Sequence, residues 1–151
     1  MRKSPMIVDI TEKPSIIRRA SASGVLSVPP AVVSMAHQGE TKKGDLRNSA
    51  TIAAMLAVKQ TPMSLPHCHP IPIESCEVEW QEVERGLKCT VTVSTTSKTG
   101  VEMEALSGVS TALLCAWDML KPILKDSNGQ YPDTSICDVS VISKMKIPTE
   151  I

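Results

Sequence analysis

The sequence predicts an α+β fold, an antiparallel sheet with helices gathered on one face. Three observations point there. Residues 74–83 and 87–94 alternate apolar and polar side chains, with Cys76, Val78 and Trp80 set against Glu77, Glu79 and Gln81, then Cys89, Val91 and Val93. Arg85-Gly86 between them supplies a turn, so the pair reads as a hairpin. Residues 98–122 show instead the three- and four-residue spacing of a long helix. At 151 residues, 42% hydrophobic and 21% charged, the chain is the size of one domain with a real core.

The elements follow in order. Residues 1–15 are polar with two prolines and are expected to form a flexible N-terminal arm. IIRRASASGVLSV (16–28) reads as a strand kinked at Gly24. Pro29-Pro30 opens a short helix to about His37, since proline is tolerated in a first turn, and Gln38-Gly39 closes it. A loop (39–45) leads into a second helix over 48–60, rich in Ala, Met, Ile and Leu and so mostly buried. From Thr61, prolines at 62, 66, 70 and 72 impose an extended, polyproline-like path. After the hairpin and the long helix, KDSNGQYPDTS (125–135) is a turn-rich loop and 136–142 a last strand. The tail 145–151 is expected to fray, which leaves 16–144 as a single domain without internal repeats.

The long helix organises the rest. Thr99 followed by Glu102 has the spacing of a capping box, and 101–120 carries one glycine and no proline. Val109, Leu113, Ala116, Trp117 and Leu120 form its buried stripe. Glu104, Ser107, Thr111, Leu114, Asp118 and Lys121 form a second one, on which Asp118 and Lys121 are neighbours at i and i+3. Glu104 precedes Asp118 by fourteen residues, about 21 Å of helix axis. One small ligand on one chain does not span that. If both ends carry function, the ligand is long or the site is shared between subunits.

Composition excludes several classes. Zero formal net charge gives no polyanion-binding surface, so any phosphate site is a local cluster. With no Phe, one Tyr and two Trp there is no stacking platform for single-stranded nucleic acid. A core of Val, Ile, Leu, Ala and eight Met is light, and burial against other subunits would compensate. Five cysteines, at 68, 76, 89, 115 and 137, with no CxxC, read as free thiols in a reducing compartment. No signal-peptide pattern and no apolar run of spanning length is present, so the expectation is a cytoplasmic protein with no membrane partner.

Several residues could carry chemistry, and each also has a plain structural reading. Lys42-Lys43-Gly44-Asp45 precedes a helix, where lysines and backbone amides together suit phosphate; the alternative is two solvated loop lysines. Between prolines, His67 and His69 point to one side and Cys68 to the other. These histidines serve acid–base or hydrogen-bonding work, metal binding with a third ligand, or structure alone. Glu102 is explained by the capping box, which leaves Glu104 the freer carboxylate. Asp118 and Lys121 are a surface ion pair or, sheltered beside Trp117, a proton-transfer pair. Of Arg18 and Arg19 on the first strand, at most one faces a given site, and Arg18 could clamp a phosphate.

Five motifs, in order along nearly the whole chain, carry a resemblance. MIVDITEKP (6–14), KKGD with AVKQT (42–45 and 57–61), LPHCHPIPI (65–73), KTGVEMEAL (98–106) and WDMLK (117–121) together resemble the cyclic pyranopterin monophosphate synthase family, MoaC. The resemblance implies a ferredoxin-like sheet. It also implies conversion of 3',8-cyclo-7,8-dihydro-GTP, made by a radical-SAM GTP cyclase, to cyclic pyranopterin monophosphate with release of pyrophosphate. On the matching positions, Lys43, Asp118 and Lys121 would be catalytic. Arg18, His67, Cys68, His69, Glu102, Met103 and Glu104 would bind substrate.

The family implies a homohexamer, a trimer of dimers with interfacial sites, and no cofactor beyond Mg²⁺ that could accompany the substrate phosphates. This sequence departs from its pattern at His67, Trp117, Leu120, Gln60 and Ser21. The last two stand where some members have arginine, which keeps a rival reading, an idle oligomeric nucleotide-binding module, on the table. Metal-dependent hydrolysis at His67 and His69 is a third.

Overall fold

Alternation becomes strand and helical spacing becomes helix in the predicted order. The computed structural model describes residues 3–38 and 40–149. The elements are β1 (Ile16–Ser27), α1 (Pro30–His37), a minimal hairpin of β2 (Glu40–Thr41) and β3 (Gly44–Asp45), and α2 (Leu46–Ser64). Then follow β4 (Ser75–Val83), β5 (Gly86–Ser97), α3 (Glu102–Leu124) and β6 (Ser135–Ile147). The four long strands form one antiparallel sheet in the order β4-β5-β1-β6. Setting the minimal hairpin and α1 aside, the chain runs β-α-β-β-α-β, and nothing in it departs from a ferredoxin-like order.

Period two decides which side chains meet the helices. Leu87, Cys89, Val91 and Val93 on β5, with Ala20, Ala22 and Leu26 on β1, are buried against α3. Ala105, Val109, Ala112, Leu113, Ala116 and Leu120 form the facing stripe of α3, and α2 packs beside it through Ala50, Ala54 and Val58. Trp80 on β4 leans on α2, its indole N–H donating to Thr51 Oγ1 at 3.1 Å. The other face of the sheet is polar: Ser21 and Thr92 share a hydroxyl hydrogen bond of 2.7 Å, and Arg19 donates to Ser94. The kink in β1 takes the form of two shifts in register against β6, one between Ser21 and Ala22 and one at Gly24.

Several boundaries differ from the sequence reading, each for a local reason. The second helix starts at Leu46, capped by Asp45, whose carboxylate accepts the Asn48 N–H at 2.9 Å. It ends at Ser64, so residues 61–64 are helical and not extended. Pro62 cannot donate to the Val58 carbonyl, and the Thr61 hydroxyl does so instead at 3.1 Å, also reaching Ala57 O at 2.9 Å. The expected capping box is absent: Val101 is the N-cap, without a side-chain bond, and Glu102 is engaged by Lys144. The last strand continues to Ile147 because it pairs along β1 as far as Ile17. Gly39, Glu150 and Ile151, on which the helix stop and part of the fraying tail fall, lie outside the described residues.

Candidate active site

The two ends of α3 carry different chemistry. At its N-terminal end the loop after α2 turns back, Cys68 N–H donating to Leu65 O, and sets Cys68 between two histidines. His67, Cys68 and His69 line a cavity of about 510 Å³ with Thr99, Gly100, Glu102, Met103, Glu104 and Val141. Six of the expected substrate-binding residues thus meet on one wall. Glu104, expected to be the freer carboxylate, is 3% exposed. Burial raises its pKa, and the Glu102 charge adds to that. Burial and then Glu104 also push the Cys68 thiol up.

Glu102 behaves oppositely. Burial works against its charge, but the Lys144 ammonium on β6 and Arg18 outweigh it and hold the carboxyl below the usual range. Arg18 is buried, and its guanidinium donates to the Ser97 and Lys98 carbonyls at 3.3 Å each. It therefore stands behind this wall and is not part of the cavity lining. Lys144 was not foreseen, because the alternating pattern of the last strand weakens after Ile142 and hides that the strand continues. Among the described residues no three His, Cys, Asp or Glu are placed to hold a metal ion.

At the C-terminal end stands the second group. Lys42-Lys43 is the tip of the β2–β3 hairpin, closed by Thr41 Oγ1, which accepts from Lys43 N and donates to Gly44 O. Gly44 has φ 104°, a conformation that favours glycine. Lys43 does not converge with the amides of α2, where Asp45 already caps, but reaches across to α3. Its Nζ lies 2.5 Å from Asp118 Oδ2, while Lys121 Nζ lies 2.8 Å from Oδ1. Lys121 and then Lys43 draw the Asp118 pKa down to about 2, and Asp118 raises that of Lys121.

Pro122 completes the arrangement. It has no N–H for the Asp118 carbonyl, and Lys43 Nζ donates to that oxygen at 3.3 Å. Trp117 meets Tyr131 edge-on at 5.4 Å, but the cluster is less sheltered than expected, with Asp118 52% exposed. Nothing in the spacing of WDMLKP announces the proline's part.

The match to known proteins decides the family. The model of the MoaC family covers residues 7–146. The chain belongs to the MoaC family. A relative from Aeropyrum pernix, named a probable cyclic pyranopterin monophosphate synthase, is 49% identical over 140 residues, covering 93% of this chain and 96% of the relative. Relatives of the same name from Methanospirillum hungatei and Thermococcus kodakarensis are 44% and 43% identical, covering 93% and 95% of this chain and 90% and 92% of theirs. The departures from the MoaC pattern fall mostly on packing. Leu120 is buried, Ser21 bonds Thr92 on the sheet's polar face, and Gln60 lines a separate hollow between α2 and α3. His67 alone falls on the cavity wall.

Proposed function

We propose that this protein is a cyclic pyranopterin monophosphate synthase, a phosphorus–oxygen lyase of molybdenum cofactor biosynthesis. Its substrate would be 3',8-cyclo-7,8-dihydro-GTP, supplied by a radical-SAM GTP cyclase, and its products cyclic pyranopterin monophosphate and pyrophosphate. One observation carries the reading. Two lysines converge on one carboxylate, Lys43 from a hairpin tip 75 residues away in sequence and Lys121 from the next turn of α3.

That cluster suits the chemistry. Asp118, ionised at neutral pH, keeps Lys121 protonated and fixes its ammonium in place, where it can hydrogen-bond to the ring atoms that gain negative charge as the purine-derived ring opens. When a ribose-derived hydroxyl attacks the α-phosphorus, its oxygen gains the P–O bond and gives up its proton, which the departing pyrophosphate takes up. The bond to the bridging oxygen breaks, and pyrophosphate leaves with the electron pair. An adjacent ammonium offsets the charge that develops. The cavity of His67, Cys68, His69, Glu102, Met103 and Glu104 would hold the ring system, with Arg18 contributing positive charge from behind and Mg²⁺ accompanying the phosphates.

The two groups would meet across subunits of a homohexamer. Support comes from their separation along α3, about 21 Å, and from apolar side chains left open on α2, α3 and β6. Ile52, Leu56 and Leu114 are at least half exposed, and Val141, Ile142 and Met145 are also open. Among the described residues no helix is long and apolar enough to cross a membrane, and five free cysteines suit a cytoplasmic setting.

The test follows pyrophosphate release and product mass together, with Lys43→Ala and Asp118→Ala run beside the wild type. Turnover by the wild type, lost in both variants, is the expected result. Binding of the nucleotide without pyrophosphate release would overturn the reading in favour of an idle binding module.

A further inference from the structure

The opening motif MIVDITEKP takes no part in the chemistry above, yet it is tied to the cavity wall at two points and to Lys98 beside it at a third. The Met6 carbonyl accepts from His67 Nδ1 at 2.7 Å, and the Val8 carbonyl accepts from His69 Nε2 at 2.7 Å. Further along, Lys98 Nζ donates to Thr11 O at 2.7 Å. The motif's polar residues hold its own shape. Asp9 Oδ1 accepts from Thr11 N at 2.8 Å and Thr11 Oγ1 at 2.6 Å, and Lys13 N–H donates to Ile10 O. Met6 and Val8 have the same two-residue spacing as His67 and His69, so two extended segments meet at alternate positions.

A carbonyl oxygen only accepts. The ring nitrogens facing the arm must therefore carry the hydrogens, Nδ1 in His67 and Nε2 in His69. A neutral imidazole has one N–H, which leaves Nε2 of His67 and Nδ1 of His69 as acceptors on rings that both line the cavity. An unrestrained neutral imidazole favours the Nε2–H form, so His67 is the ring held in its minority form.

We propose that residues 6–13 are a positioning strap whose backbone carbonyls fix His67 and His69 in opposite tautomers. The cavity is thereby offered two acceptors from neighbouring side chains, suited to N–H donors of a purine-derived ligand. That ligand class rests on the synthase reading; the tautomers do not.

The test uses the full-length chain labelled with [¹⁵N]histidine. Two-bond ¹H–¹⁵N correlations are recorded where the rings are neutral and assigned with His37→Gln, His67→Gln and His69→Gln variants. The expected result is an Nδ1–H pattern for His67 and an Nε2–H pattern for His69. Asp9→Ala and Thr11→Ala, which loosen the strap's turn, should each move His67 toward the Nε2–H form. A wild-type His67 already in the Nε2–H form overturns the proposal, as does an Nδ1–H pattern unchanged in both strap variants. The spectra need no turnover. The expected tautomers in a protein that makes no product leave the strap standing and remove the synthase reading; product formation with His67 as Nε2–H removes the strap alone.

Discussion

The two ends of α3 solve opposite problems with the same residue types. At the N-terminal end Glu104 is nearly excluded from water and its proton is held more tightly than usual. At the C-terminal end Asp118 is half exposed, flanked by two ammonium groups and ionised down to about pH 2. Burial sets the first and ion pairing the second. One rigid helix therefore presents a carboxyl poised to keep its proton and a carboxylate poised to manage the protons of others. The separation keeps the two fields from cancelling, and in the proposed shared site a second chain would bring them together.

The largest expected effect comes from removing the C-terminal carboxylate. Asp118→Ala should lower kcat by about 10²–10⁴-fold, the usual weight of a positioned acid–base group. Stability should barely change, since the side chain is open to water. Steady-state pyrophosphate release and urea unfolding read the two quantities. Next is the sharing itself. Asp118→Ala and His69→Ala proteins, each inactive alone, should regain activity when dissociated and reassembled together. With random equal mixing, roughly a quarter of interfacial sites would draw both intact halves from different chains. No recovery after verified exchange would mean that each site is built from one chain.

Much of this comparison was legible in the sequence. Alternation in β4 and β5 and the stripe Val109, Leu113, Ala116, Leu120 gave the sheet, the long helix and its buried face, because burial enforces periodicity. Lys43, Asp118, Lys121 and the cavity residues were also within reach, through motif resemblance. What the sequence hid was long-range partnering. Glu102 sits at capping-box spacing yet pairs with Lys144, because β6 brings a lysine to it from 42 positions away, as 144 minus 102 gives. Glu104 was expected to be the freer carboxylate because its neighbours in sequence do not reveal how deeply it is buried beside the loop of His67, Cys68 and His69. Thr61–Ser64 stayed helical because one hydroxyl replaced a missing N–H, a substitution that proline counting cannot see.

Pro122 offers a finer way to break the C-terminal half. In Pro122→Ala the new N–H can bond the Asp118 carbonyl and compete with Lys43 for it. The helix should gain about 1 kcal/mol or more from the lost proline, while turnover falls severalfold as Lys43 loses one of its two acceptors. Thermal denaturation and kcat measured on the same preparation test this. A gain in stability with unchanged kcat would mean that the carbonyl contact is incidental.

The smallest effect, and the sharpest contrast, is in the pH dependence of stability. Glu104 has a raised pKa in the folded chain, so the folded state keeps a proton that the unfolded state releases. Stability therefore falls as pH rises from the ordinary glutamate range through the folded pKa. Asp118 has the opposite sign: its depressed pKa favours the folded state above the unfolded aspartate range, and that contribution is lost as pH falls toward about 2. Glu104→Gln keeps the shape and a donor but cannot ionise. It should raise stability at neutral pH by about 1 kcal/mol, the scale of a buried group relieved of an unmet demand, and flatten the decline that sets in as pH rises above the ordinary glutamate range. Urea unfolding across that rise in pH reads both. If Glu104→Gln tracks the wild type at every pH, the carboxyl is already relieved by a partner in the assembled oligomer, and the contrast between the two ends belongs to the single chain alone.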